Sequence, residues 1–167
     1  MGTSNERYAD DLEMNLYGQD GASFDLGIEG YQFPEVADDY WDSNWFFVRG
    51  QVRCSQGDWT FRDPCLTTFE LRELADWLDS VAAGRPSSTI CSFTEPNLDF
   101  EYRPVPAASI VARFTHESAP PWQRGDDRLG GFALSFDVVL NDLARSASQL
   151  REMLAMFPER GNRNGAA

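Results

Sequence analysis

Two apolar alternations separated by a short turn constrain the fold of this chain more than any other feature. Residues 45–54, WFFVRGQVRC, put Phe46, Val48, Val52 and Cys54 on one side and Phe47, Arg49, Gln51 and Arg53 on the other. That is the period of a half-buried strand. Ser55 to Asp58 supply a turn, and the returning run sets Trp59 and Phe61 on one face. So short a connection leaves no room for a crossover, so the two strands are antiparallel neighbours.

At Thr67 the period changes. Leu71, Leu74, Trp77, Leu78 and Val81 recur at helical spacing, Thr67 with Glu70 forms a capping-box pattern, and Gly84 with Pro86 stops the run. The spacing predicts a helix over 68–83. Upstream, Phe24, Leu26 and Ile28 alternate with polar or small residues, and residues 11–18 hold at most an edge strand. Downstream, four segments of strand character at 89–93, 98–103, 109–116 and 131–139 are joined by short Pro-, Gly- and Asp-rich connections. The last helical pattern runs along Leu143, Ala147, Leu150, Met153, Leu154 and Phe157 to Pro158, with Asn141 or Asp142 as its cap. Strands and helices do not alternate, so the class is α+β with a mostly antiparallel sheet. We expect about six to eight strands, as a sandwich or half-barrel, with one helix mid-chain and one at the C-terminal end.

With 167 residues, among them 12 Phe, 5 Trp and 5 Tyr, the chain can bury one substantial core. The expected division is a flexible segment or edge strand over 1–21, one α+β domain over 22–158, and a disordered tail over 159–167. No apolar run approaches the roughly 18 residues of a membrane helix, and the first residues lack the features of a secretory signal. A cytoplasmic location is the expectation. Cys54, Cys65 and Cys91 match neither a zinc nor a redox spacing and read as small apolar core residues of a reduced protein. Cys65 and Cys91 would pair only if the fold brought them together.

Charge narrows the partners. The net charge is -13, and residues 1–48 hold eleven Asp and Glu against the single Arg7. Nucleic acids and anionic membranes are bound by neutralising phosphate with cations, so neither suits this chain. A basic protein suits it, although an acidic surface also serves solubility alone. No oligomeric state can be read.

Catalysis finds little support. The one histidine, His116, stands beside Glu117 at a predicted strand end, where a surface or turn role is the simpler reading. Among nucleophile, metalloprotease and phosphate-loop motifs none occurs, so no catalytic, metal or cofactor residues are assigned. Glu35, Asp38, Asp39 and Asp42 crowd one loop but lack the spacing of a calcium-binding hand. Asp126 and Asp127 are flanked by Arg124 and Arg128 and are expected to be neutralised locally.

The acidic loop also carries aromatic residues, Tyr31, Phe33, Tyr40, Trp41 and Trp45. Tyr and Trp set among charges compose many protein-binding hot spots. Phe33 and Trp45 are expected to pack the loop onto the sheet, whereas Tyr40 and Trp41 stay open between packing and partner contact. The candidate partner-binding residues are Glu29, Glu35, Asp38, Asp39, Tyr40, Trp41 and Asp42.

The segments GYQFPEVADDYWDSNWFFVRGQV, GDWTFRDPCLTTFELRELADWL and GFALSFDVV, with the helix ending AMFP, resemble the WapI-like family of small bacterial proteins over roughly residues 22–158. Some members are immunity proteins against contact-delivered or polymorphic toxins. The resemblance implies a protein without turnover that binds and neutralises a cognate toxin, a nuclease in the case that names the family, by occupying it. The alternative from another class is a structural or self-associating interaction module.

Overall fold

A computed structural model describes residues 12–161. Residues 1–11, the first part of the expected flexible segment, and 162–167, most of the expected tail, lie outside them.

Among the described residues, eight strands form two four-stranded sheets, each antiparallel and each in chain order. Sheet 1 holds β1 (Met14–Tyr17), β2 (Ser23–Tyr31), β3 (Trp45–Cys54) and β4 (Gly57–Thr67). Sheet 2 holds β5 (Ile90–Ser92), β6 (Leu98–Arg103), β7 (Ser109–Phe114) and β8 (Phe132–Asp137). Helix α1 (Thr68–Ala82) links the sheets, a short α2 (Asp126–Gly130) precedes β8, and α3 (Leu140–Met156) follows it. The class is α+β, as the alternations require.

The β3–β4 hairpin pairs Cys54 with Gly57 and Val52 with Trp59. Its turn is therefore Ser55 and Gln56, two residues instead of the four expected. Midway along the hairpin Gly50 faces Phe61, and a Cβ at position 50 would lie 2.1 Å from the Phe61 ring. Only a residue without a side chain lets that ring cross the strand.

At the start of α1 the capping box forms as its sequence predicts. Thr67 Oγ1 accepts the Glu70 N–H at 3.2 Å, and the Thr67 N–H donates to Glu70 Oε2 at 2.9 Å. The other Glu70 oxygen accepts the Thr94 N–H at 2.7 Å, so the buried carboxylate is bonded on both sides and ties the helix to the chain entering sheet 2. Helix α3 departs from its expected cap. It begins at Leu140 after Val139 with no side-chain cap, and Asp142 pairs with Arg145 instead. Packing sets that start: Leu143, Ala147, Leu150 and Met153 are buried, and Ser146 Oγ donates to the Asn15 carbonyl of β1 at 2.8 Å.

One apolar cluster joins both sheets, α1 and α3. At its centre the Phe24 ring meets Phe114 edge-on at 4.9 Å, with Phe100 and Phe61 each at 6.3 Å, while Trp77 of α1 reaches Phe100. Burying each such ring contributes about 1.5–3 kcal/mol. Neither sheet has a core of its own. All three cysteines are free, and burial, with acidic neighbours adding to it, raises the thiols of Cys65 and Cys91, the latter to about 12. Both stay as thiols at neutral pH and are inert.

Candidate partner-binding surface

Between β2 and β3 the chain leaves sheet 1 for residues 32–44. Sequence alone accounts for a polar loop here. What it does not predict is the scaffold beneath. Asn44 is fully buried: its Nδ2 donates to the carbonyls of Tyr40 at 2.6 Å and Arg160 at 2.8 Å. Its Oδ1 accepts from the Arg160 N–H at 2.9 Å and the Thr68 hydroxyl at 3.0 Å. Every polar atom of that amide side chain is used.

Arg160 completes the support. Its guanidinium donates to the carbonyls of Phe33 and Ser43 at 2.9 Å through Nη2, to Pro34 at 2.9 Å through Nη1, and to Ser43 again through Nε at 3.1 Å. The same plane stacks 3.6 Å from the centre of the Tyr31 ring. Burial raises the Tyr31 phenol, with the Arg160 charge pulling the other way, and its hydroxyl donates to the Pro158 carbonyl. Arg160, which the sequence reading assigns to a frayed tail, is thus bonded beneath the loop.

Each candidate residue has a place on this scaffold. Asp39, exposed like Asp38 and Asp42, caps the turn: its Oδ1 accepts the Trp41 N–H at 2.8 Å and the Asp42 N–H at 2.7 Å. Glu35, Asp38 and Asp42 are exposed, and among the described residues none of the three forms an ion pair. The half-buried Tyr40 ring stacks on Phe69 of α1 at 5.3 Å, and Trp41 stands edge-on to both at 5.6 and 5.7 Å. Trp41 is nevertheless 53% exposed. Tyr40 therefore packs while Trp41 faces outward, which separates two rings that the sequence leaves open. Trp45 is half-buried, but Phe33, expected to pack, is 37% exposed because its carbonyl, not its ring, is the anchored group.

Glu29 is engaged elsewhere. It lies at a break in the β2–β3 register, pairs with Arg62, and lines a cleft on the outer face of sheet 1 with Glu13 and Arg49. Arg62 in turn lies over Phe47 at 3.8 Å. The acids at the foot of the loop are others. A cleft of about 400 Å³ is lined by Gln32, Trp45, Asp63, Pro64, Glu95, Asn97 and Glu117. Asn97, nearly buried, bridges Asp63 and Glu117 with its Nδ2 at 3.1 and 3.2 Å. Desolvation first, then the charges of Glu117 and Glu95, raise the Asp63 carboxyl, with the Asn97 bond opposing them. These three acids lie far apart in sequence, so no local pattern marks them. Asp126 and Asp127 sit on α2.

Among the described residues no group of three or more His, Cys, Asp or Glu is placed to hold a metal ion. His116 occupies a left-handed turn with φ of 54° and its ring meets the Thr115 hydroxyl. No helix of the described residues is long and apolar enough to cross a membrane.

These features define a class: a small two-sheet α+β protein whose 32–44 loop is braced from beneath and displays exposed carboxylates beside an exposed tryptophan. The model of the immunity protein WapI-like family matches residues 15–158, and the chain belongs to that family. Neither a curated protein nor a solved structure matches it.

Proposed function

We propose that this chain is a cytoplasmic immunity protein that binds the basic toxic domain of a cognate polymorphic or contact-delivered toxin, a nuclease, and silences it by occupancy. Membership of the immunity family supports toxin binding as the role. The observation that carries the surface assignment is the braced loop, on which Glu35, Asp38 and Asp42 stand exposed and without ion pairs among the described residues, next to Trp41. A nuclease must present cations to the phosphates of its substrate. An acidic face on a rigid loop meets those cations with little ordering cost, and the tryptophan supplies an apolar anchor. Asp63, Glu95 and Glu117 extend the same negative potential into the adjoining cleft. No turnover is involved, and the chain's own residues act by excluding the substrate.

The test is co-purification with the C-terminal domain of any large secreted protein encoded beside this gene, at low and high salt. A complex that weakens with salt and abolishes the domain's nuclease activity is the expected result. A complex that leaves nuclease activity intact would remove inhibition by occupancy, and no complex at either salt would favour a structural module.

A further inference from the structure

We propose that Arg160 is a positioning residue for the toxin-facing surface, holding the 32–44 loop in its binding shape before the partner arrives. The inference rests on the function proposed above. A guanidinium carries five donors in a fixed plane, and here they join the two ends of one loop. Phe33 and Pro34 at its entry and Ser43 at its exit all accept from the same side chain. Gly161 then lies against the middle of the loop, at φ of 81°, where a Cβ would come within 3.1 Å of Asp39 and Tyr40 backbone atoms.

Arg160 is itself held. Asn44 bonds both its N–H and its carbonyl, Glu159 pairs with Arg72 of α1 at 2.7 Å, and Pro158 accepts from Tyr31. The brace therefore transmits the position of α1 and of the end of α3 to the loop. Its cation sits beneath an acidic surface, yet the bonds it makes go to carbonyls, and neither Glu35, Asp38 nor Asp42 pairs with it among the described residues. Two roles for this charge consequently predict opposite signs. Were Arg160 only a cation near the interface, removing it would make the surface more acidic and tighten binding of a basic partner. As a positioning residue, its removal lets the loop populate other shapes, and the apparent affinity falls by the fraction still competent.

The experiment measures association and dissociation of the toxin domain retained in the co-purification above, across a salt series, for the parent protein, Arg160→Ala and Arg160→Lys. Amide hydrogen exchange over residues 33–44 of the unbound proteins is followed in parallel. The expected result is binding about tenfold weaker for Arg160→Ala, with the parent's salt slope and faster exchange in the loop. Arg160→Lys, which keeps the charge but cannot span both loop ends, follows Ala. Binding by Arg160→Ala as tight as the parent's or tighter overturns the inference alone, as does parent-like behaviour of Arg160→Lys with a protected loop. Failure of the parent to bind sinks the functional reading and this inference together. If Arg160→Ala does not fold, Arg160→Lys carries the same comparison.

Discussion

Two loops in this molecule are built on the same device and end in different roles. The 32–44 loop closes over Arg160, and the 115–125 loop closes over Arg128, which donates to the carbonyls of His116 at 2.7 Å, Pro120 at 3.0 Å, and Ala119 and Gln123 at 3.3 Å. Each loop leaves a tryptophan partly in solvent, Trp41 at 53% and Trp122 at 41%. The surroundings of those rings differ. Trp122 meets Trp59 at 5.3 Å and Phe132 at 5.8 Å, and Trp59 in turn reaches Phe114 at 5.4 Å and donates its indole N–H to the Ser118 carbonyl at 2.9 Å. That loop is a lid on the core. Trp41 touches only Tyr40 and Phe69 among the ring contacts of the described residues, and it shares its turn with Asp39 and Asp42. A braced loop whose ring is not needed by the core is free to spend it on a partner.

The contrast is broken most severely at Trp59. Trp59→Ala removes a buried ring and leaves the Ser118 carbonyl without its donor, and we expect a loss of about 3–5 kcal/mol in urea unfolding. Arg128→Ala comes next. Several carbonyls lose a charged donor together, and the expected cost is about 1.5–3 kcal/mol by the same measurement. Trp41→Ala sharpens the difference from the other side: stability stays within about 0.5 kcal/mol of the parent, while toxin binding loses at least about 2 kcal/mol if the ring is a hot spot. A large stability loss at Trp41 would make the two loops equivalent and remove the argument for a partner.

The smallest expected effect is electrostatic and lies in the cleft between the two loops. The Asp63 carboxyl titrates above its ordinary value in the folded protein, so the folded form holds its proton more tightly than the unfolded chain does. Its penalty is absent below the ordinary carboxylate range and grows as pH rises past it, which means stability falls with rising pH across that window. Asp63→Asn should therefore melt slightly higher than the parent at neutral pH and equal to it in acid. A parent that melts higher at neutral pH would show that the cleft is not a site of uncompensated charge.

Much of what depends on neighbours in sequence could be read before the structure, the length of the hairpin turn and the cap of α3 excepted. The β3–β4 hairpin rests on alternation within one run, and the start of α1 rests on Thr67 and Glu70, three residues apart. The five-residue α2 escaped because so short a helix has no period to detect. The acidic character of the loop follows from residues within 35–42, whereas the exposure of Trp41 beside the packed Tyr40 does not. Nor does the loop's shape, because it depends on Arg160 and Asn44, 116 positions apart. Nothing in the segment PERG after α3 signals that an arginine there will bond carbonyls in a distant loop, and a chain end rich in polar residues reads as tail. The cleft acids Asp63, Glu95 and Glu117 were hidden for the same reason.

We propose that the carboxylates of the 32–44 loop, and not the overall charge of -13, make the contact with a basic toxin domain. The most direct measurement compares the affinity of that domain for two variants of equal net charge. One carries Glu35→Lys, Asp38→Lys and Asp42→Lys; the other reverses three exposed acids elsewhere, Asp58, Asp127 and Glu152. The loop variant is expected to lose the complex and fail to protect against nuclease activity, while the second variant binds with a modestly slower association rate and still protects. Equal weakening of both, or loss of binding only in the second, would contradict it.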